Sequence, residues 1–228
     1  MSDPSFSEVK ACVFDAFGTL FDVHSAANRM KDELGENVDK LSEMWRFKQL
    51  QYTWLRSLMG QHEDFWQVTG DALDYSMRAL DMSDDSLRAK LMELYLQLDA
   101  YPEVVDVLTR LKDGGKKTAI LSNGEPSMLV AAAKNANIYS LLDKVLSVEK
   151  VGIFKPHPST YQIAVDELKF PANHICFQSS NCWDAHGAAA VGFMVTWVNR
   201  FEQPHENLPS KPHAEIKTLS DLLPLLKI

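Results

Sequence analysis

The chain has 228 residues, 46% of them hydrophobic and 10% aromatic, ample for one packed domain or for one domain carrying an insertion. Its formal net charge is −8, with no run of Lys or Arg long enough for a nucleic-acid groove or a membrane patch, so an anionic substrate must be captured by a few local cations. The start, Met1-Ser2-Asp3-Pro4, lacks the basic-then-apolar pattern of a signal peptide, and the longest apolar stretch, Ala188 to Val198, is broken by Gly192 and Thr196; a soluble, cytoplasmic protein is expected.

The first element is the apolar run ending Val13-Phe14-Asp15, followed by a turn at Gly18 and by Thr19. Such a run predicts a buried strand with Asp15 at its carboxyl end, where open α/β sheets bind ligands. A carboxylate there can be a nucleophile, a base or a metal ligand; a plain turn-capping Asp is the alternative. Gly18 permits the tight turn, and Thr19 can hydrogen-bond a carboxylate. Position 17 is Phe, where a metal-assisted phosphate enzyme of this plan would carry a second Asp.

Residues 22–98 contain no convincing strand. From Leu41 to Met59 the apolar residues Phe47, Leu50, Trp54 and Leu58 recur at helical spacing. This predicts a helical cap domain over 22–98, inserted into a core domain made of 1–21 and 99–228. Arg46 stands at the margin of that stripe, four residues before Leu50. It is suited to an anionic leaving group, against the ordinary reading of an exposed Arg.

After the insertion, helical patterns (Glu103 to Lys112, Ser127 to Asn135) alternate with apolar runs at Thr118–Leu121, Lys144–Ser147, His174–Phe177 and Phe193–Val198. Strands alternating with helices predict an α/β fold with a parallel sheet covered on both faces. Three strand ends carry polar clusters. Ser122-Asn123-Gly124 follows the second strand and could hold an oxyanion. Lys155-Pro156 places Lys155 in extended chain, while Ser159 and Gln162 form a capping-box pattern that puts Tyr161 in the first turn of a helix. Ser179-Ser180-Asn181-Cys182-Trp183-Asp184 leads into another helix, with Asn181 as its N-cap and Asp184 in its first turn.

The three cysteines, Cys12, Cys176 and Cys182, have no metal-like spacing, and their odd number argues against a disulfide framework. The seven histidines form no ligand pattern, and His24 and His186 have no evident partner.

Taken in order, these residues resemble the haloacid dehalogenase superfamily, most closely its (S)-2-haloacid dehalogenase branch. The resemblance spans essentially the whole chain: the stretch Phe14 to Ser25, the cap stretch Trp45 to Leu58, Ser122-Asn123-Gly124, Lys155-Pro156 with Tyr161, and Ser179 to Asp184. It implies a Rossmann-like core with a helical cap, a homodimer, no cofactor, and conversion of short-chain 2-haloalkanoates to 2-hydroxyacids with inversion and release of halide. Asp15 would be the nucleophile, with Thr19, Arg46, Ser122, Lys155, Tyr161, Ser179, Asn181 and Asp184 in the catalytic set. Substrate would be bound by Ala16, Phe17, Arg46, Phe47, Leu50, Phe65, Ser122, Asn123, Asn181 and Trp183. Phe17 stands where some relatives have Tyr, and Phe47 where a polar Gln occurs, which predicts a drier pocket.

Carbon–halogen cleavage suits direct displacement by a carboxylate, giving an aspartyl ester that water then hydrolyses. A phosphate-transferring relative would need Mg²⁺ held by carboxylates, yet its two further Asp positions are Phe17 and Ser180. No metal site is therefore expected. The alternatives are a dehalogenase preferring haloacetate or fluoroacetate, a hydrolase opening a strained ring such as azetidine-2-carboxylate, a superfamily phosphatase, and a catalytically silent binding protein.

Overall fold

The computed structural model describes residues 5–228; Met1-Ser2-Asp3-Pro4 lies outside the described residues. Six parallel strands form one sheet: β1 (Ala11–Phe14), β2 (Lys117–Ser122), β3 (Lys144–Ser147), β4 (Ile175–Ser179), β5 (Met194–Val198) and β6 (Ala214–Ile216). Their order is β3-β2-β1-β4-β5-β6. The chain winds outward from β1 in one direction and from β4 in the other, so the topological switch point falls between these two strands. In register, Phe14 lies beside Ile120 of β2 and Gln178 of β4, which brings three strand ends together.

The strands read as unbroken apolar runs because both faces are covered. Ala11 and Val13 of β1 pack with Tyr161, Ile163 and Ala185, whereas Cys12 and Phe14 pack with Val107, Leu108 and Leu129. The first group comes from α8 (Pro158–Leu168) and α9 (Cys182–Ala190), the second from α6 (Val104–Asp113) and α7 (Pro126–Asn135). A short α10 (Leu222–Leu225) closes the chain against α6. The fifth strand was expected and is present; β6, three residues with exposed Glu215 at the sheet edge, was not anticipated.

Between β1 and β2 the chain is helical: α1 (Ser25–Asn28), α2 (Lys31–Leu34), α3 (Val38–Met59), α4 (Phe65–Ala79) and α5 (Asp85–Tyr95). The two crossings of this insertion lie side by side, Asp22 N–H donating to Asp99 O at 2.8 Å and Tyr101 N–H to Leu20 O at 3.0 Å. Asp64 and Asp84 cap α4 and α5 through side-chain bonds to the N–H of Gln67 and Leu87, and Gly60, left-handed at φ 63°, ends α3.

The inward face of α3 differs from the one the apolar stripe predicts. Val38, Leu41, Trp45, Gln49 and Thr53 are buried, while Phe47 is 59% and Leu58 85% exposed. Only the middle of the stripe meets the core, where Trp54 stands edge-on to Trp183 at 5.4 Å. No described helix is long and apolar enough to cross a membrane.

Candidate active site

Asp15 follows β1 directly and is 6% exposed. Its two oxygens are treated differently. Oδ2 accepts from Asn181 Nδ2 at 2.8 Å, the Thr19 hydroxyl at 3.3 Å and the Ser179 hydroxyl at 3.4 Å. Oδ1 receives Lys155 Nζ at 3.2 Å. The turn after Asp15 is held by the Ala16 carbonyl, which accepts from the N–H of Leu20 and Phe21, and by Gly18 at φ 94°. A Cβ on Gly18 would also come within 3.0 Å of Ser180 Oγ, so position 18 needs glycine twice over.

Lys155 is 1% exposed and bridges two carboxylates, donating to Asp184 Oδ2 at 2.9 Å as well as to Asp15. Asp184 is fully buried at the start of α9, and its Oδ1 accepts from the Tyr161 hydroxyl at 2.7 Å. Burial pushes the Asp184 carboxyl up, against the opposing pull of the Lys155 ammonium. Burial and the Asp184 charge drive the Tyr161 phenol well above its usual range, so it stays a neutral donor. Lys155 N–H is itself fixed by Asn123 Oδ1 at 2.9 Å, joining the Ser122 and Lys155 clusters.

Two capping expectations are corrected. Helix α8 is capped by His157, whose imidazole accepts from Ser159 N–H, so the Ser159–Gln162 capping box does not form; Gln162 instead donates to Asp166. Asn181 occupies the N-cap position of α9, but its amide turns to Asp15 instead of the helix N–H groups.

From the cap, Arg46 reaches the core: Nη2 donates to Phe17 O at 3.1 Å and Asn181 Oδ1 at 3.3 Å. A cavity of about 10 Å³, the room of a single water, lies between these groups. Asp15, Arg46, Lys155, Ser122, Asn123 and Asn181 line its polar side, and Phe17, Leu50, Phe65 and Trp183 its apolar side. Phe17 stacks on Phe65 at 5.4 Å. Thr19, Ser179, Tyr161 and Asp184 stand behind the wall and act on the groups that form it. A larger cleft of about 250 Å³ adjoins through the shared Arg46, Leu50, Asn181 and Trp183.

Two of the expected binding residues are absent from the cavity wall. Ala16 is buried beneath it, and Phe47 points to solvent on the outer side of α3, so it cannot dry the pocket. Three residues of the insertion were missed: Gln49, Thr69 and Tyr95, buried polar groups joined to Arg46. Polar residues on an amphipathic helix read as solvent-facing, and only the i+3 spacing from Arg46 hinted at Gln49. Arg200, whose Nη2 donates to Thr19 O at 3.0 Å, was missed without any signal. His24 bonds Ser42, and His186 bonds the Pro209 carbonyl.

Neither further carboxylate position of a phosphate enzyme supplies a ligand: Phe17 is in the aromatic stack, and the Ser180 hydroxyl lies against the Thr19 oxygen at 3.3 Å. Among the described residues, no three His, Cys, Asp or Glu side chains gather as a metal site. The arrangement is a desolvated carboxylate with one ammonium, one guanidinium and several neutral donors around a small, half-apolar space. Such an arrangement can support displacement at carbon beside an anionic group.

Comparison with known proteins bears on the same site. The haloacid dehalogenase-like hydrolase family matches residues 9–192. (S)-2-haloacid dehalogenase 4A of Burkholderia cepacia is 44% identical over 219 residues, covering 96% of this chain and 95% of that one. (S)-2-haloacid dehalogenase 1 of Pseudomonas sp. strain CBS-3 is 41% identical over 219 residues, covering 96% of each. The solved structure of L-2-haloacid dehalogenase from Xanthobacter autotrophicus with chloropropionic acid covalently bound superposes with a TM-score of 0.90 at 35% identity, covering 96% of this chain and 98% of that one.

Proposed function

The chain belongs to the haloacid dehalogenase-like hydrolases, in their (S)-2-haloacid dehalogenase branch, and from that footing we propose that Asp15 is the group that displaces the halide. The reaction is hydrolytic dehalogenation of a 2-haloacid. The observation that carries the assignment of Asp15 is its asymmetric carboxylate: three neutral donors on Oδ2 and only Lys155 on Oδ1.

In the first step Asp15 Oδ1 attacks the halogen-bearing carbon in line, the C–O bond forms as the carbon–halogen bond breaks, and the bond pair leaves with the halide. Arg46 stands on the opposite wall to receive that charge. Ser122 and Asn123 would hold the substrate carboxylate, which fixes the attack geometry. The product is an Asp15 ester with inverted carbon. In the second step water adds to the ester carbonyl carbon, and the negative charge collects on Oδ2. There Asn181, Thr19 and Ser179 already point their donors, so the same groups that anchor the carboxylate form an oxyanion hole. The bond between Oδ1 and the substrate carbon stays intact throughout; the tetrahedral adduct collapses by breaking the Asp15 Cγ–Oδ1 bond, and the departing oxygen takes up a proton that the water gives. The hydroxyacid leaves with Oδ1 as its hydroxyl oxygen, the second water proton passes to solvent, and Asp15 regains a carboxylate bearing one water oxygen. Asp184, with both oxygens engaged, acts through Lys155, stabilising its charge beside the reacting centre.

The insertion over 22–98 would serve as the cap that excludes water and supplies Arg46, Leu50 and Phe65. Metal independence, a homodimer and a cytoplasmic location belong to the same reading, with a small 2-haloacid as the only ligand. Halide release from both 2-chloropropionate enantiomers, with and without EDTA, tests it. Release from the S enantiomer, unchanged by EDTA, is expected; release from the R enantiomer alone, or phosphatase activity restored by Mg²⁺, would overturn it.

A further inference from the structure

Arg46 is a half-buried cation on a long, flexible stem, whose rotamer freedom must be given up to hold it in one place. The structure supplies the restraint. Gln49, one helical turn further along α3 and 1% exposed, accepts from Arg46 Nη1 through Oε1 at 2.8 Å.

The orientation of that amide is dictated from behind. Thr69, on α4 and wholly buried, donates its hydroxyl proton to the Phe65 carbonyl at 2.6 Å. Its oxygen is therefore left to accept, and it accepts from Gln49 Nε2 at 2.7 Å. With Nε2 committed to Thr69, Oε1 must face Arg46. The Tyr95 hydroxyl sits within 3.0 Å of Nε2 and 3.2 Å of Oε1, bracing the amide from α5. Burial raises the Tyr95 phenol above its ordinary value, which keeps it neutral. On the far side, Arg46 Nη2 bonds Asn181 Oδ1, whose amide nitrogen bonds Asp15. Each donor direction follows from the one before, from a backbone carbonyl of α4 to the nucleophile.

We propose that Gln49, oriented by Thr69, is a positioning residue that holds the Arg46 guanidinium at the point where the halide departs. This rests on the reading of Asp15 as nucleophile and Arg46 as halide acceptor. Loosening the tether would leave substrate binding by Ser122 and Asn123 in place and weaken leaving-group stabilisation. Its signature is a dependence on the halogen, because chloride needs more help to leave than bromide does.

The test compares Gln49→Met, Thr69→Val and Thr69→Ser with the wild type on 2-chloro- and 2-bromopropionate. Bromide binding is followed separately through tryptophan fluorescence, since Trp183 lines the cavity. Gln49→Met should lower kcat on the chloro acid about 10- to 100-fold, with a smaller loss on the bromo acid and KM within about threefold. Thr69→Val should follow in the same direction, Thr69→Ser should stay within about twofold, and bromide should bind several-fold more weakly to the first two variants. The tether is overturned if Gln49→Met and Thr69→Val keep wild-type kcat and bromide affinity, or if all three variants lose both substrates equally. A wild type that binds bromide but releases no halide from any haloacid would sink the functional reading instead, leaving bromide affinity in the variants to decide the tether.

Discussion

Lys155 is a buried cation shared between two buried carboxylates, and neither carboxylate has a second cation of its own within this cluster. Removing Lys155 would leave both buried carboxylates without a cation, which costs about 3–5 kcal/mol, so this residue is tied to stability as well as to chemistry. Tyr161 offers a milder probe. Its hydroxyl bonds the ionised form of Asp184 and so holds that carboxyl down against burial. Tyr161→Phe removes this support, and the Asp184 pKa rises. Since Asp184 serves Lys155 only when ionised, the acid limb of the kcat profile should move to higher pH, and a limb that stays put or moves lower would exclude Asp184 as its source. Among the thiols, burial pushes Cys12 up to about 12 and Cys176 well above its usual value, which makes both packing groups and not nucleophiles.

At the scale of elements, helix α3 carries most of the difference between sequence and structure. Its apolar stripe is regular, but periodicity does not say which face is inside. The buried face holds Gln49 and Thr53 because their polar atoms find partners there, Thr53 bonding the Leu50 carbonyl at 2.7 Å. Phe47 consequently lies outside, and Phe47→Gln should leave kcat and KM within about twofold of wild type, the usual scale for a surface change. A tenfold change in KM would return Phe47 to the pocket. The strand ends were legible for the opposite reason: Asp15, Ser122 and Asn181 come at or just after the end of an apolar run and Lys155 directly precedes Pro156, where the fold has little freedom in placing them. The start of α8 was misread because His157, one residue before Pro158, supplies the cap that Ser159 was expected to provide. The short edge strand β6 has too few apolar residues to show a pattern.

The whole molecule sets a carboxylate at the switch point of a parallel sheet and closes it with a helical insertion entering and leaving at adjacent strands of chain. The sheet brings Asp15, Ser122 and Ser179 together from β1, β2 and β4, and the insertion contributes the guanidinium and the apolar wall. Much of this was readable in the sequence, because alternating strands and helices restrict the topology and the strand ends locate the chemistry. The tether behind Arg46 was not, since it joins α3, α4 and α5 only once they pack. In this mechanism the protein itself becomes the reaction partner through Asp15, and the fate of one water oxygen shows whether it does. A single turnover of excess enzyme with (S)-2-chloropropionate in ¹⁸O-water, followed by mass analysis of the Asp15 peptide and of lactate, should place the label in the Asp15 carboxylate and leave the first lactate unlabelled. Label in the lactate with none in Asp15 would show water attacking carbon directly and would contradict the covalent route.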